Sequence, residues 1–338
     1  KLGIHSSPTC TLAFGDDGGA VGYLVGEENK GLQCMFTMMN NARLSVGHQG
    51  VALGERAYQQ AVAYATDRVQ GRASGVEGRA AIIHHADVKR MLMQMRALTE
   101  GGRAMSYYAI AAEDRSSHHP DEQVRASSAQ MVELLTPLVK GWCTEVAMES
   151  TSLGVQVHGG MGFIEETGAA QHMRDARILP IYEGTNGIQA LDFIGRKCLR
   201  DGGEAVKVLL ADMQATVDQL AAAHGSVVNL RNRLRHSVEQ CQEALNYVLE
   251  NSSDSQGIAY NFMMMYGNTV SYWLLVKLAA AAQDRLAAGE TDRFYNQKIA
   301  TAEFFSTQIL PRNSGYLATL ILGADSFDAL EPADFLQA

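Results

Sequence analysis

Only six prolines occur in 338 residues, so very little in this chain forbids long helices. A helix-interior proline removes a backbone donor and clashes with the preceding turn, which makes its scarcity informative. The apolar residues use that freedom. Residues 32–68 read as one helix in which Ala, Leu, Val and Tyr recur, and a glycine-rich loop follows from 71 to 78. The next helix is predicted over about 86–115, where Val88, Met91, Leu92, Met95 and Leu98 share one face at i, i+3, i+4, i+7 spacing. After a break at 116–120, another is predicted over about 121–153, with Val124, Met131, Leu135, Leu138, Trp142 and Val146 on one stripe. A last helix is predicted from near 184 to near 200. Four long helices with short links predict a bundle.

Both flanks differ from this centre. Residues 1–35 read as strands, with apolar alternation in Thr9-Cys10-Thr11-Leu12-Ala13-Phe14, a turn at Asp16-Asp17-Gly18-Gly19 and a second run at Val21-Gly22-Tyr23-Leu24-Val25. Two strands make no stable sheet, so this stretch is expected to be the end of a larger β domain. The chain opens without Met, which adds the expectation of residues upstream. Beyond Asp201-Gly202-Gly203, helices are predicted over about 204–223, 226–250, 255–288 and 291–309, punctuated by Gly225, Gly257 and Gly289. The expected architecture is therefore mainly α: 1–35 as the end of a β domain, 36–200 as a four-helix bundle, and 201–338 as an appended helical module. Residues 255–276 carry no charged side chain, but Gln256, Asn261, Gly267, Asn268 and Ser271 favour a buried bundle helix over a membrane span.

The net charge of −9 argues against nucleic acid or an anionic membrane as a partner. Arg231, Arg233, Arg235 and His236 form a short basic cluster, read as a solvated helix face. The five cysteines, Cys10, Cys34, Cys143, Cys198 and Cys241, are odd in number and include no C-x-x-C pair. A reducing, cytoplasmic setting is the simpler reading. His84-His85 and His118-His119 lack suitably spaced acidic partners, so no metal site is expected.

The segments most informative about chemistry are Gln156-Val157-His158-Gly159-Gly160-Met161-Gly162-Phe163, then Arg174-Asp175-Ala176-Arg177, then Ile181-Tyr182-Glu183-Gly184-Thr185-Asn186-Gly187. A glycine-rich loop after a helix is commonly a C-cap, and a Glu before Gly is commonly solvated. Their order and spacing together resemble the acyl-CoA dehydrogenase family, in which a Q-x-x-G-G-x-G loop is followed by R-D and then I-Y-E-G-T. The resemblance covers residues 1 to about 195. It extends to Lys1-Leu2-Gly3-Ile4, Ser7-Pro8-Thr9, Gly26-Glu27-Glu28, Asn40-Asn41-Ala42-Arg43 and Tyr64-Ala65-Thr66-Asp67-Arg68. The helical extension is similar to that of the 3-methylmercaptopropionyl-CoA dehydrogenase-type branch.

The resemblance implies FAD as cofactor, an acyl-CoA substrate, an electron-transfer flavoprotein as acceptor, and a homodimer or homotetramer. It implies Glu183 as the base that takes the α-proton while a hydride leaves Cβ for the flavin. The Glu183 amide would help hold the thioester carbonyl. Gln156, Val157, His158, Gly159 and Gly160 would contact the adenine or pyrophosphate end of FAD. Thr185, Asn186 and Gly187 would form a second contact at a helix start. Arg68 would meet the flavin phosphates across a subunit interface, although it reads equally as a solvated arginine at a helix end. Asn40, Arg43, Tyr182 and Gly184 would line the substrate side. The competing readings are an acyl-CoA oxidase and a non-catalytic helical oligomerisation or binding module.

Overall fold

The computed structural model describes residues 1–336. The proline-poor periodicity becomes three long helices: α1 (Gly31–Asp67), α2 (Ala86–His118) and α3 (Glu122–His158). Asp121 caps α3, its carboxylate accepting the Gln123 amide at 2.8 Å. Gly47, Gly50 and Gly54 of α1 lie against Val139, Cys143 and Ser150 of α3 in the same order, so these two helices run parallel. Gly54 also meets Thr99, while Val51 meets Gly102, which sets α2 antiparallel to both. A Cβ on Gly47 would stand 2.6 Å from the Val139 carbonyl, and one on Gly50 2.7 Å from that of Cys143. Each glycine lowers helix propensity by about 1 kcal/mol. In exchange the two backbones approach closely enough for α3 to present its side chains near the start of α1.

The fourth helix forms shorter and less regular than expected, running from Asn186 to Arg196 with its last five residues as a π turn. Residues 184–200 divide into α5 (Asn186–Leu191), a π turn (Asp192–Arg196) and a 3-10 turn (Leu199–Asp201). Upstream lies α4 (Ala169–Ala176), which the glycine-rich spacing concealed. The extra residue in the π turn brings both Phe193 and Ile194 into the core, and that burial outweighs a regular helical repeat.

The strands expected over 9–14 and 21–25 are absent. Among the described residues the ladder contact outside helices is the single Val69–Ala81 bridge. Strand amides and carbonyls need a neighbouring strand, and among the described residues no segment pairs with these. Leu12, Phe14, Val21 and Tyr23 are exposed as a result. The start of the chain is held elsewhere. The Ile4 amide donates to the Asp175 carboxylate at 2.6 Å, and Gly3 packs on the Arg174 backbone so closely that a Cβ would overlap it.

The second half comprises α6 (Glu204–Gln219), α7 (Ser226–Glu250), α8 (Ser255–Ala287), α9 (Arg293–Phe304, continuing as a π turn Phe305–Ile309) and α10 (Arg312–Ile321). The sequence pattern ended near 309 and missed α10. The uncharged stretch lies inside α8, with Phe262, Tyr266, Tyr272 and Trp273 buried. Two of its buried aromatic polar groups are satisfied internally: the Tyr272 hydroxyl donates to the Leu230 carbonyl, and Trp273 Nε1 to Thr216 Oγ1. Among the described residues no helix is long and apolar enough to cross a membrane. Two residues of the basic cluster make contacts within the fold, while Arg235 and His236 stay exposed. Arg231 caps α6 through the Leu220 and Ala221 carbonyls, and Arg233 donates to Ser306 Oγ.

The two halves share one apolar core, in which Leu98 and Trp142 join Trp273 and Phe305. Gly267 of α8 lies directly under Trp142, and a Cβ there would overlap the indole; Gly141 meets Met263 in the same way. Trp142 Nε1 donates to Asn268 Oδ1 (2.8 Å), Asn268 Nδ2 to Asn313 Oδ1 (2.9 Å), and Asn313 Nδ2 to Ser237 and Thr269. This buried chain of hydrogen bonds ties α3, α7, α8 and α10 into one register.

Candidate active site

The chain returns from α4 to the start of α1 and turns sharply at Glu183-Gly184. Glu183 has φ +56° and Gly184 φ +85°. The first is uncommon for a residue with a Cβ and costs roughly 1–3 kcal/mol, so the surroundings must hold it. Arg43 Nε donates to the Glu183 carbonyl at 3.3 Å. Gln189 Nε2 donates to the Glu183 and Gly184 carbonyls, each at 3.3 Å. Lys140 Nζ donates to the Gly184 carbonyl at 2.7 Å. The Tyr182 hydroxyl donates to Gln49 Oε1 at 2.5 Å; burial and then the adjacent Glu183 charge push its pKa up and keep it a donor.

The elbow's carbonyls are thus engaged while its donors stay open. Among the described residues no acceptor takes the amides of Glu183, Gly184 or Thr185, and no donor takes the half-buried Glu183 carboxylate. A carboxylate beside unpaired amides can abstract a proton and hold the negative charge that develops on a nearby oxygen. Gly184 is required in its place. A Cβ would meet Gln189 Nε2 at 2.9 Å, in a backbone conformation that costs an L-residue about 1–2 kcal/mol. Gly184→Ala is therefore expected to lower the thermal midpoint by several degrees, measured by calorimetry.

The other substrate-side candidates divide between surface and interior. Asn40 is exposed on α1. Arg43 is buried and lies 4.0 Å from Asp192, so its acidic partner comes from the π turn and not from its own helix. Thr185 caps α5, its Oγ1 accepting the Ile188 amide at 3.3 Å, and Gly187 is exposed beside it. Asn186 turns inward: its Nδ2 donates to Gly141 O, Thr144 Oγ1 and Glu145 Oε1, and its amide to Pro180 O. It braces the elbow from within.

Sequence reasoning missed Lys140 entirely. Its side chain is fully buried, and Nζ donates to Asn186 Oδ1 at 2.9 Å as well as to Gly184 O. Burial holds its pKa down at about 8; Glu145 and Glu183 oppose that shift and Arg43 adds to it. Keeping the group charged at neutral pH costs the fold roughly 3 kcal/mol. The unfolded chain binds the proton more tightly, so stability rises with pH from about 8 toward the ordinary lysine value of 10.5. In sequence it looked like any lysine of an amphipathic helix.

The remaining candidates lie at the far end of the bundle. Arg68 follows α1 and is separated from Arg43 by about 37 Å at 1.5 Å per helical residue. The His158 ring stacks on Tyr64 at 4.4 Å, which places Gln156 to Gly160 at that same end. His158 itself is buried, with Nδ1 2.7 Å from the Gly154 carbonyl, and Val157 is core. Gln156 is exposed, and its carbonyl closes α3 by accepting the Gly159 amide. Gly159 (φ +58°) and Gly160 face open space, with nothing within 4 Å of a Cβ on either. The Arg68 guanidinium is exposed and has no partner among the described residues.

The family described as "Acyl-CoA dehydrogenase, C-terminal domain" matches residues 29–199, and that described as "Acetyl-CoA dehydrogenase C-terminal like" matches 209–331. The chain belongs to the acyl-CoA dehydrogenase family. A relative named 3-methylmercaptopropionyl-CoA dehydrogenase, from Ruegeria pomeroyi, is 48% identical over 92% of this chain and 53% of its own length. The broad-specificity linear acyl-CoA dehydrogenase FadE5 of Mycobacterium tuberculosis is 35% identical over 92% of this chain and 54% of its own. The crystal structure of an acyl-CoA dehydrogenase from Bacillus anthracis, complexed with FAD, shares the fold at TM-score 0.69 and 22% identity, over 92% of this chain and 52% of that one. The chain thus spans about half the length of the curated relatives it matches.

Proposed function

We propose that this chain supplies the base-carrying half of a flavin-dependent acyl-CoA dehydrogenase, which forms a double bond between Cα and Cβ of an acyl-CoA thioester. The observation that carries the reading is the Glu183 elbow: a carboxylate without a partner beside amides without acceptors, among the described residues, with the Glu183 and Gly184 carbonyls pinned from behind. Glu183 takes the α-proton. Charge then develops on the thioester oxygen, where the Glu183 amide donates a hydrogen bond. Bound FAD supplies the hydride acceptor for Cβ. The name of the Ruegeria relative makes 3-methylmercaptopropionyl-CoA the first substrate to try.

The residues at the far end suit an anionic cofactor terminus. Gly159 and Gly160 leave space for close backbone approach, and Arg68 offers an exposed guanidinium. About 27 Å of α3 separates this group from Lys140 behind the elbow. A composite site between two copies would bring the two groups together, which favours a homodimer or homotetramer. Arg68→Ala is expected to reduce retained FAD most at low salt, the difference from the parent shrinking as salt screens the contact, read from the visible absorbance after gel filtration.

The deciding experiment uses the complete parent protein. Its visible spectrum is recorded, then acyl-CoA thioesters are added anaerobically, and electron-transfer flavoprotein is supplied to re-oxidise it. Bleaching by one thioester and recovery with the acceptor support the reading. A parent that holds no flavin would instead favour a helical binding module.

A further inference from the structure

We propose that Lys140 is a positioning residue for the proton abstraction assigned to Glu183: its buried ammonium holds the Gly184 carbonyl and the Asn186 side chain together and so fixes the left-handed elbow that aims the carboxylate. The inference rests on the dehydrogenase reading above. Fully buried lysines are rare and are normally paired with an acid. Among the described residues Lys140 has no carboxylate within ion-pair distance. It spends two donors on neutral oxygens, one on the residue after Glu183 and one on the first residue of α5. A single cation therefore spans both sides of the turn.

The Gly184 contact is not needed merely to satisfy a buried oxygen. The Gly184 carbonyl also accepts from Gln189 at 3.3 Å, so the ammonium is not its only donor. The ammonium adds rigidity instead. It stands on a turn of α3 that α8 clamps from the opposite side, where Gly141 meets Met263 and Trp142 covers Gly267. The appended module thereby seats the helix that seats the base.

The test is made on the flavin-loaded parent by rapid anaerobic mixing with its acyl-CoA substrate. Lys140→Met keeps the length of the stem and removes the charge and donors. It is expected to slow flavin bleaching at saturating substrate about 100-fold, the size of effect that a misplacement of about 1 Å produces. The half-saturating concentration should change little, and the isotope effect from α-deuterated substrate should grow as proton abstraction becomes limiting. Lys140→Arg, which restores the cation, should recover most of the rate. Unchanged rate and isotope effect in Lys140→Met would overturn the assignment.

If Lys140→Met does not fold, the unsubstituted enzyme still answers. Loss of the ammonium proton should slow bleaching above about pH 8. A rate that stays flat from about pH 7 to 10 overturns the proposal. The groups facing Lys140 are Arg43 from α1, Glu145 from its own helix and Glu183 from the elbow, with Tyr182 beside Glu183. Asp192 of the π turn lies beyond Arg43, and Tyr260 of α8 lies beside Glu145. Glu183→Gln serves as the control. If it bleaches normally, the dehydrogenase reading and the Lys140 proposal fall together; if it is inert and Lys140→Met behaves as the unsubstituted enzyme, only the Lys140 proposal falls.

Discussion

Glu183→Gln is expected to slow flavin reduction by acyl-CoA at least about 1,000-fold, within the range that a positioned general base contributes. The amide has nearly the shape of the carboxylate but cannot accept a proton at working pH. The fold should be indifferent to the change, because the elbow is held by Arg43, Gln189 and Lys140 through main-chain carbonyls and not through the carboxylate. Acyl-CoA binding, followed by the perturbation of the flavin spectrum, should change only a few-fold. Loss of rate at constant affinity is the signature of an interaction made in the transition state. A Gln variant that bleached at the normal rate would place the base elsewhere.

Trp142→Ala is expected to be the most destabilising single substitution argued here, at about 3–5 kcal/mol for the lost packing. A further cost of about 1–3 kcal/mol follows from leaving Asn268 without its donor in a buried chain of hydrogen bonds. The indole is fully buried at the junction of the two halves, so neither half can close the cavity alone. Calorimetry should show a large fall in the midpoint of the transition that includes this chain. Trp142→Phe, which keeps most of the ring and loses the donor, should cost clearly less. Phe163→Ala, at an exposed ring, should lie within about 0.5 kcal/mol of the parent. A Trp142→Ala protein as stable as the Phe163 variant would mean that the two halves do not depend on each other's core.

Much of the helical framework was legible because it is written in local periodicity. The stretch read as 32–68 forms as Gly31–Asp67, and the third helix continues to His158, where Gly159 ends it. The Glu183 motif was legible for a different reason: its order and spacing resemble a known family. The strands expected before residue 30 followed an alternation that is real, but pairing needs a second strand and the chain does not place one there. The helix expected over 184–200 is shortened to Asn186–Arg196, because a tight left-handed turn precedes it and a π turn ends it.

Neighbours in space, not in sequence, decided the rest. A lysine on an amphipathic helix is ordinarily solvated, and nothing in its sequence neighbourhood sets Lys140 apart. It is buried because Gly184 and Asn186, more than 40 residues onward, close over it, and because α8 packs on the next turn. Arg43 found its acid in Asp192, and Asn186 turned away from the surface. The candidate residues sorted into two groups at opposite ends of α1, a separation that motif spacing does not encode. Periodicity reports which face of a helix is apolar, since that depends on residues three and four apart. Burial, charge state and the convergence of distant groups depend on which helices meet, and here that followed from glycine seams and one buried hydrogen-bond chain that only the assembled core brings together.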